Sequence, residues 1–67
     1  MIMEPKYDID VQLVGGDGNA FVMIGTVSMA LRKHGVSAEE ITEFRDEAMS
    51  GDYDNVLQTI MRWVNIY

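Results

Sequence analysis

The stretch YDIDVQLVGGDGN, residues 7–19, joins an alternating pattern to a glycine-rich turn. Apolar and polar side chains alternate with a period of two, which predicts a half-buried strand over Tyr7–Val14. The turn Gly15-Gly16-Asp17-Gly18-Asn19 follows at once. Its glycines free the backbone to adopt positive φ, and Asn19 is suited to cap a following helix.

This strand needs a partner, because its backbone groups require hydrogen bonds and its apolar face requires a cover. Three partners are available. Val64–Tyr67 can form a short closing strand, residues 20–27 can return as a hairpin, or the same strand of a second copy can pair across a two-fold axis. We favour the first or the third arrangement.

The apolar segment after the turn is interpreted as a helix over residues 19–34, followed by a glycine C-cap at Gly35. A hairpin strand over residues 20–27 stays open, because β-branched and aromatic residues are frequent there. Gly25 costs about 1 kcal/mol relative to alanine inside a helix, and we expect it to mark a tight crossing over the strand. The apolar residues at helical spacing are Phe21, Ile24, Val27 and Leu31.

A second helix begins at Ser37, which forms an S-x-x-E capping box with Glu40. Val36 and Ile41 occupy the positions of a hydrophobic staple. The helix ends at Ser50-Gly51. Its predicted buried stripe consists of Ile41, Phe44 and Ala48.

A third helix begins at Asp52, ends near Trp63 and has the clearest amphipathic pattern of the chain. Its predicted apolar stripe consists of Tyr53, Val56, Leu57, Ile60, Met61 and Val64. Flexible core filler is the predicted role of the methionines, among them Met23, Met29, Met49 and Met61. The predicted fold class is therefore α+β, a β-α-α-α order with a possible short closing strand, completed by oligomerisation.

The size of the chain bounds how it can be stabilised. It has 67 residues, which fit a single small domain over residues 1–67, and it has no cysteine. A domain of this size buries only about 60% of its unfolded surface and is marginal without reinforcement. Disulfides are excluded, and one histidine is too few for a four-ligand zinc site. We therefore expect a homo-oligomer with no metal and no cofactor.

Charge and hydropathy limit the partners. The net charge is −6, and the excess of acidic residues lies within residues 37–54. Without a basic surface, direct nucleic-acid binding is not expected. No apolar run reaches the roughly 20 residues of a membrane span, and the N-terminal residues lack signal-peptide character, so we expect a cytoplasmic protein without membrane contact.

The acidic second helix supplies candidate partner contacts. The like-charged i,i+4 pairs Glu39–Glu43 and Glu43–Glu47 each destabilise the helix by about 0.2–0.5 kcal/mol, so helix stability does not explain these acidic residues. The acidic side chains serve solubility or form a docking surface for a basic host protein. The residues are Glu39, Glu43, Asp46 and Glu47.

The glycine turn supplies a candidate ligand site. Backbone N–H groups at a helix start and the positive end of the helix dipole favour an anion, although a structural turn explains the same glycines and Asp17 would repel an anion. The carboxylates beside Tyr53, those of Asp52 and Asp54, could also belong to a site, and helix capping is the structural alternative that explains them. The predicted ligand-binding residues are Gly16, Gly18, Asn19, Tyr53, Arg62 and His34.

Three segments, GGDGNAFVMIG, ALRKHGVSAEEI and SGDYDNVLQTIMRWVNI, resemble a family of small uncharacterised bacterial and phage proteins. The resemblance covers residues 7–66 and rests on a G-x-D-G-N-A-F turn and an S-G-D-Y-D…M-R-W-V ending. It implies a bacterial or phage origin and no particular activity. The residues that match the two motifs are Gly16, Asp17, Gly18, Asn19, Phe21, Gly51, Asp52, Tyr53, Asp54, Arg62 and Trp63.

We expect no enzymatic activity, because no nucleophile, base and orienting residue form a recognisable pattern. The favoured hypothesis is an oligomeric binding protein that sequesters a small anionic ligand such as a signalling nucleotide, an anti-defence sponge if the origin is a phage. The alternative is an acidic inhibitor or adaptor of the anti-CRISPR or anti-restriction type, which mimics nucleic acid and acts by protein contact.

Overall fold

The computed structural model describes residues 4–13 and 18–67 and has the order β-α-α-α-β. The predicted α+β class and the closing strand are thereby confirmed. Val14 and the glycines at 15 and 16 lie outside the described residues, as does Asp17. The elements are β1 (Asp10–Val11), α1 (Ala20–Lys33), α2 (Ala38–Ala48), α3 (Tyr53–Trp63) and β2 (Asn65–Ile66).

The two strands pair in parallel, with Asp10 opposite Asn65 and Val11 opposite Ile66. The regular strand is shorter than the predicted Tyr7–Val14, since the regular pairing with β2 covers two residues of each strand. Single backbone bonds continue the pairing at both ends, from Tyr7 N to Trp63 O at 2.9 Å and from Leu13 N to Tyr67 O at 2.7 Å. The predicted alternation holds, because Ile9 and Val11 are buried and their neighbours Asp8 and Asp10 are exposed.

Helix α1 has the predicted caps, and the hairpin alternative for residues 20–27 is wrong. The Asn19 side chain accepts a hydrogen bond from Phe21 N at 2.9 Å. At the other end Gly35 has a φ of 85°, and Val36 N donates to Leu31 O at 3.0 Å. This is a Schellman closure, which requires the left-handed conformation that glycine adopts without strain.

The expected tight crossing at Gly25 is wrong. Gly25 is exposed, and a Cβ built on it would meet no heavy atom within 4 Å from the described residues outside its own helix backbone. Helix α1 packs on the rest of the chain through the opposite face, where Val27 and Leu31 are fully buried. Within the described residues, the cost of a glycine at this position is therefore not offset by packing.

Helix α2 is capped as predicted, with Glu40 N donating to Ser37 Oγ at 3.2 Å. The Glu40 carboxylate lies 3.7 Å from Lys6 Nζ. Of the predicted stripe, Phe44 and Ala48 are fully buried and Ile41 is partly buried.

The predicted stripe of α3 is confirmed at Val56, Ile60 and Val64, which are buried, and is wrong at both Tyr53 and Met61. Tyr53 and Met61 are 49% and 45% exposed. The large ring of Trp63 turns inward and meets Phe44 edge to face, with ring centroids 5.5 Å apart. The buried residues of the helix are Val56, Thr59, Ile60 and Trp63.

The core lies between the three helices and the strand pair. Its largest fully buried side chains are Phe44, Leu31, Ile60, Val27, Val64 and Thr59. Across residues 4–13 and 18–67, the helices are too short or too polar to cross a membrane.

Candidate functional site

The first turn of α3 lies beside the first turn of α1. Asp52 caps α3 by accepting a hydrogen bond from Asn55 N at 3.0 Å. This fixes the start of the helix, and the next residue, Tyr53, points across to α1. Its hydroxyl donates to Gly18 O at 2.7 Å. Two helix N-termini are therefore held together by one aromatic side chain.

An apolar groove opens at this junction, between α1 and the α2–α3 connection, and we call it the Tyr53 groove. Its cavity is about 280 Å³, near the lower end of the range for small-molecule sites. Its walls include Phe21, Ile24, Met49, Asp52, Tyr53 and Val56. Phe21 is 73% exposed, so the groove presents aromatic surface to solvent. In size and character it suits one flat ring system.

The exposure of Phe21 corrects the prediction that it belongs to the buried stripe of α1. At 3.6 residues per turn, Phe21 lies about 60° around the helix from Ile24 and about 120° from Val27. In this turn of α1, the side chain that is buried in the core is that of Met23. The prediction that the methionines fill the core holds for Met23 alone among the four, since Met29, Met49 and Met61 are exposed.

The electrostatics of the groove differ between its two helix starts. At α3 the Asp52 carboxylate already faces the N-terminal amides. The first turn of α1 carries no acidic residue. Because a helix N-terminus carries partial positive charge, the start of α1 beside Gly18 is the more favourable place for an anion. Gly16 lies outside the described residues.

The other predicted ligand-binding residues lie elsewhere in the chain. Arg62 is nine positions after Tyr53, about 14 Å along the helix axis, and its Nη2 lies 3.2 Å from Glu47 Oε2. His34 caps the far end of α1 and its Nδ1 lies 2.9 Å from Ala30 O. One chain therefore unites Gly18, Asn19 and Tyr53 but brings neither Arg62 nor His34 to them.

The predicted partner-binding residues do not form one uniform surface. Glu39, Glu43 and Asp46 are exposed on α2. Glu47 is also exposed, but its carboxylate accepts hydrogen bonds from Arg62 Nη2 and from Trp63 Nε1 at 3.3 Å. Glu47 thus joins α2 to α3, and the acidic surface available for a partner is limited to the first three.

Of the groove walls in the described residues, the predicted ligand-binding set includes Tyr53 alone, and Phe21 and Met49 are among the walls it missed. Phe21 falls within the G-x-D-G-N-A-F motif, which was a usable signal. Met49 follows α2 as its C-cap, and nothing in the sequence distinguishes it from a core methionine.

The chain matches no known protein-family model, and comparisons with curated proteins and with solved structures return no significant similarity. The resemblance to small bacterial and phage proteins therefore stays a prediction.

Proposed function

We propose that this protein is a non-enzymatic, oligomeric binding protein that holds a small anionic ligand, such as a signalling nucleotide, in the Tyr53 groove. The observation that carries the proposal is the 2.7 Å hydrogen bond from Tyr53 to Gly18 O. It holds the start of α1 against an open aromatic groove, so a phosphate and a flat ring can be bound side by side.

The aromatic walls supply the ring-binding part of the site. Phe21 and Tyr53 both line the groove and both keep a large exposed fraction. Stacking of a nucleobase on an aromatic side chain contributes about 1–3 kcal/mol and tolerates any base, since every base has a π face. The walls therefore favour nucleotides as a class over aliphatic anions.

The start of α1 supplies the anion-binding part. Its first turn has no acidic residue, and Gly18 allows the chain to approach a ligand closely, since among the described residues a Cβ there would meet only Tyr53 Oη, at 3.8 Å. The chain has a net charge of −6, which opposes anion binding at long range. Side-chain cations are needed near the site, and we expect a neighbouring copy to supply them.

Thermal denaturation with a panel of linear and cyclic nucleotides tests the proposal. A ligand at about 100 times its Kd stabilises the folded state by about 2.7 kcal/mol. For a domain of this size that raises Tm by about 10 °C or more. Phe21→Ala should abolish the shift, and Met61→Ala, which removes an exposed apolar side chain remote from the groove, should preserve it. A panel without any shift would refute the proposal.

The acidic inhibitor remains a second candidate, because Glu39, Glu43 and Asp46 form no ion pair within residues 4–13 and 18–67. An unpaired acidic helix side can imitate the phosphates of a nucleic acid. If it does, an excess of the protein should slow plasmid cleavage by a restriction nuclease. Glu39→Lys with Glu43→Lys should remove that effect, and Asp54→Lys, a charge reversal on α3, should not. Equal inhibition by the wild type, the double variant and Asp54→Lys would eliminate this role.

A further inference from the structure

The outward side of α1 is an apolar surface that no other part of the described chain covers. Gly25 lies at its centre, with Phe21 four residues before it and Met29 four residues after it. Met29 is 74% exposed, and Val22 beside them is also exposed. At 100° per residue these four positions span about a quarter of the helix circumference. We call them the outward face of α1.

We propose that two copies of the chain pair through the outward face of α1, with the two helices antiparallel and crossing at Gly25. The pairing stands on its own observations. Its second consequence, that the partner's Arg32 completes the Tyr53 groove, rests on the proposed function.

Gly25 is the position where two helices can approach most closely. Nothing in the described chain lies within 4 Å of the place where its Cβ would be, so the space is available to a second helix. In an antiparallel arrangement about this point, Phe21 lies opposite the partner's Met29. Each copy thus contacts the two most exposed large apolar side chains of the other, while the side of Phe21 that lines the Tyr53 groove stays open to the ligand.

Charge favours a second copy as the occupant. Helix α1 has no acidic residue, so two chains that each carry −6 meet where their repulsion is smallest. Its last turn carries Arg32 and Lys33, and neither forms an ion pair within the described part of the chain. Antiparallel pairing carries this basic end to the start of the partner's α1, beside the acidic cap of α3. The basic last turn of each α1 then lies near the acidic cap of the partner's α3. The same attraction occurs twice, as a two-fold interface requires.

Exposed apolar side chains concentrate on this side of the chain. Three of the seven exposed large apolar residues in the described ranges lie on the outward face of α1, and two more line the Tyr53 groove. An interface of ordinary size would bury about 800 Å² per partner, roughly one sixth of the 4694 Å² surface of the chain. Clustered exposed apolar residues are typical of an interaction site.

The same geometry supplies the missing cation. Arg32 lies seven residues after Gly25, and Gly18 lies seven residues before it. A two-fold axis at Gly25 therefore sets the partner's Arg32 opposite Gly18, at the anion-binding end of the groove. In this arrangement one nucleotide-sized ligand contacts both copies.

Sedimentation velocity at micromolar concentration tests the pairing. The wild-type chain of 7.6 kDa should sediment as a dimer of about 15 kDa. Gly25→Leu and Met29→Glu should each give a monomer whose circular dichroism spectrum stays helical, since neither side chain touches the core. Met61→Glu is the matched control and should remain dimeric. A wild-type monomer, or dimers of both Gly25→Leu and Met29→Glu, would overturn the pairing.

Arg32→Gln separates the pairing from the ligand role. It should leave the apolar contact and the dimer in place but lower nucleotide affinity at least tenfold. A dimeric wild type that binds no nucleotide would refute the proposed function and leave the pairing intact. A monomeric wild type that binds nucleotide would refute the pairing and the oligomeric part of the proposed function, and would leave nucleotide binding in the groove intact. Unchanged affinity in a dimeric Arg32→Gln would remove this arginine from the site.

Discussion

The two ends of α3 each carry a large aromatic residue, and they are used in opposite ways. Trp63 is 6% exposed, and its ring meets Phe44 and Tyr7 while its Nε1 donates to Glu47. Tyr53 is 49% exposed, and its hydroxyl donates to Gly18 O at 2.7 Å and contacts Met23 Sδ at 4.0 Å. One end of the helix packs into the core, and the other leaves aromatic surface exposed.

The N-terminal segment causes this difference. It crosses the Trp63 end, where Lys6 N donates to Arg62 O at 2.8 Å and Tyr7 N donates to Trp63 O at 2.9 Å. Lys6 Nζ also lies 4.4 Å from the centroid of the Trp63 ring. At the Tyr53 end, the described residues provide no equivalent cover. Within the described residues, the chain therefore covers the Trp63 end of α3 and leaves the Tyr53 end exposed.

The largest effect that this comparison predicts is that of Trp63→Ala. Removing a buried tryptophan costs about 3–5 kcal/mol, comparable with the whole stability of a domain of this size. We therefore expect loss of most helical signal in circular dichroism at 25 °C. Tyr53→Ala, the matched truncation at the open end, should cost less than half as much in urea denaturation. Equal losses would show that both ends secure the fold.

A smaller effect is expected from Asn55, which attaches the open end of α3 to α2. Its Nδ2 donates to Glu47 O at 2.9 Å and to Ala48 O at 3.2 Å, the last carbonyls of α2. Asn55→Ala leaves a carbonyl beside the core without a donor, at a cost of about 1–3 kcal/mol. Chemical denaturation measures this loss.

Asn65→Ala is the control for Asn55→Ala. The Asn65 side chain also donates one hydrogen bond, to Asp8 at 2.9 Å, but that bond is exposed to water. Its loss should cost less than about 1 kcal/mol, since water replaces the partner. If Asn65→Ala were the more harmful change, the attachment of α3 would depend on the strands and not on Asn55.

The features that the sequence predicted best are those set by neighbouring residues. Ser37 caps α2 and Gly35 closes α1 through groups fewer than five positions away, so local spacing contains the information. The closing strand was also predictable, because the alternating segment needs a partner and the residues after α3 are one of the three segments that can supply it. In each case, the residues that determine the cap or the strand are visible in the sequence pattern.

The failed predictions concern which way a side chain faces in the assembled fold. Phe21 and Met29 are apolar and helical, yet the core is filled from the other side of α1 by Met23 and Val27. Gly25 was expected to mark close packing inside the chain, and we now assign that packing to a second copy. Likewise Arg62 is basic and near the C-terminus, but its contact with Glu47 depends on how α2 and α3 pack.

The smallest expected effect tests the cover over the Trp63 end. Lys6 Nζ lies above the ring of Trp63 and 3.7 Å from Glu40, with about half of the side chain exposed. An exposed ion pair contributes little, and a cation–π contact at such a site contributes about 0.5–1 kcal/mol. Lys6→Gln should therefore lower the free energy of unfolding by about that amount. Most of the loss should persist in 1 M NaCl, where the Debye length is about 3 Å and the ion pair is screened. A loss that vanished in salt would assign the effect to Glu40, and the N-terminal segment would then be held over Trp63 by its backbone bonds alone.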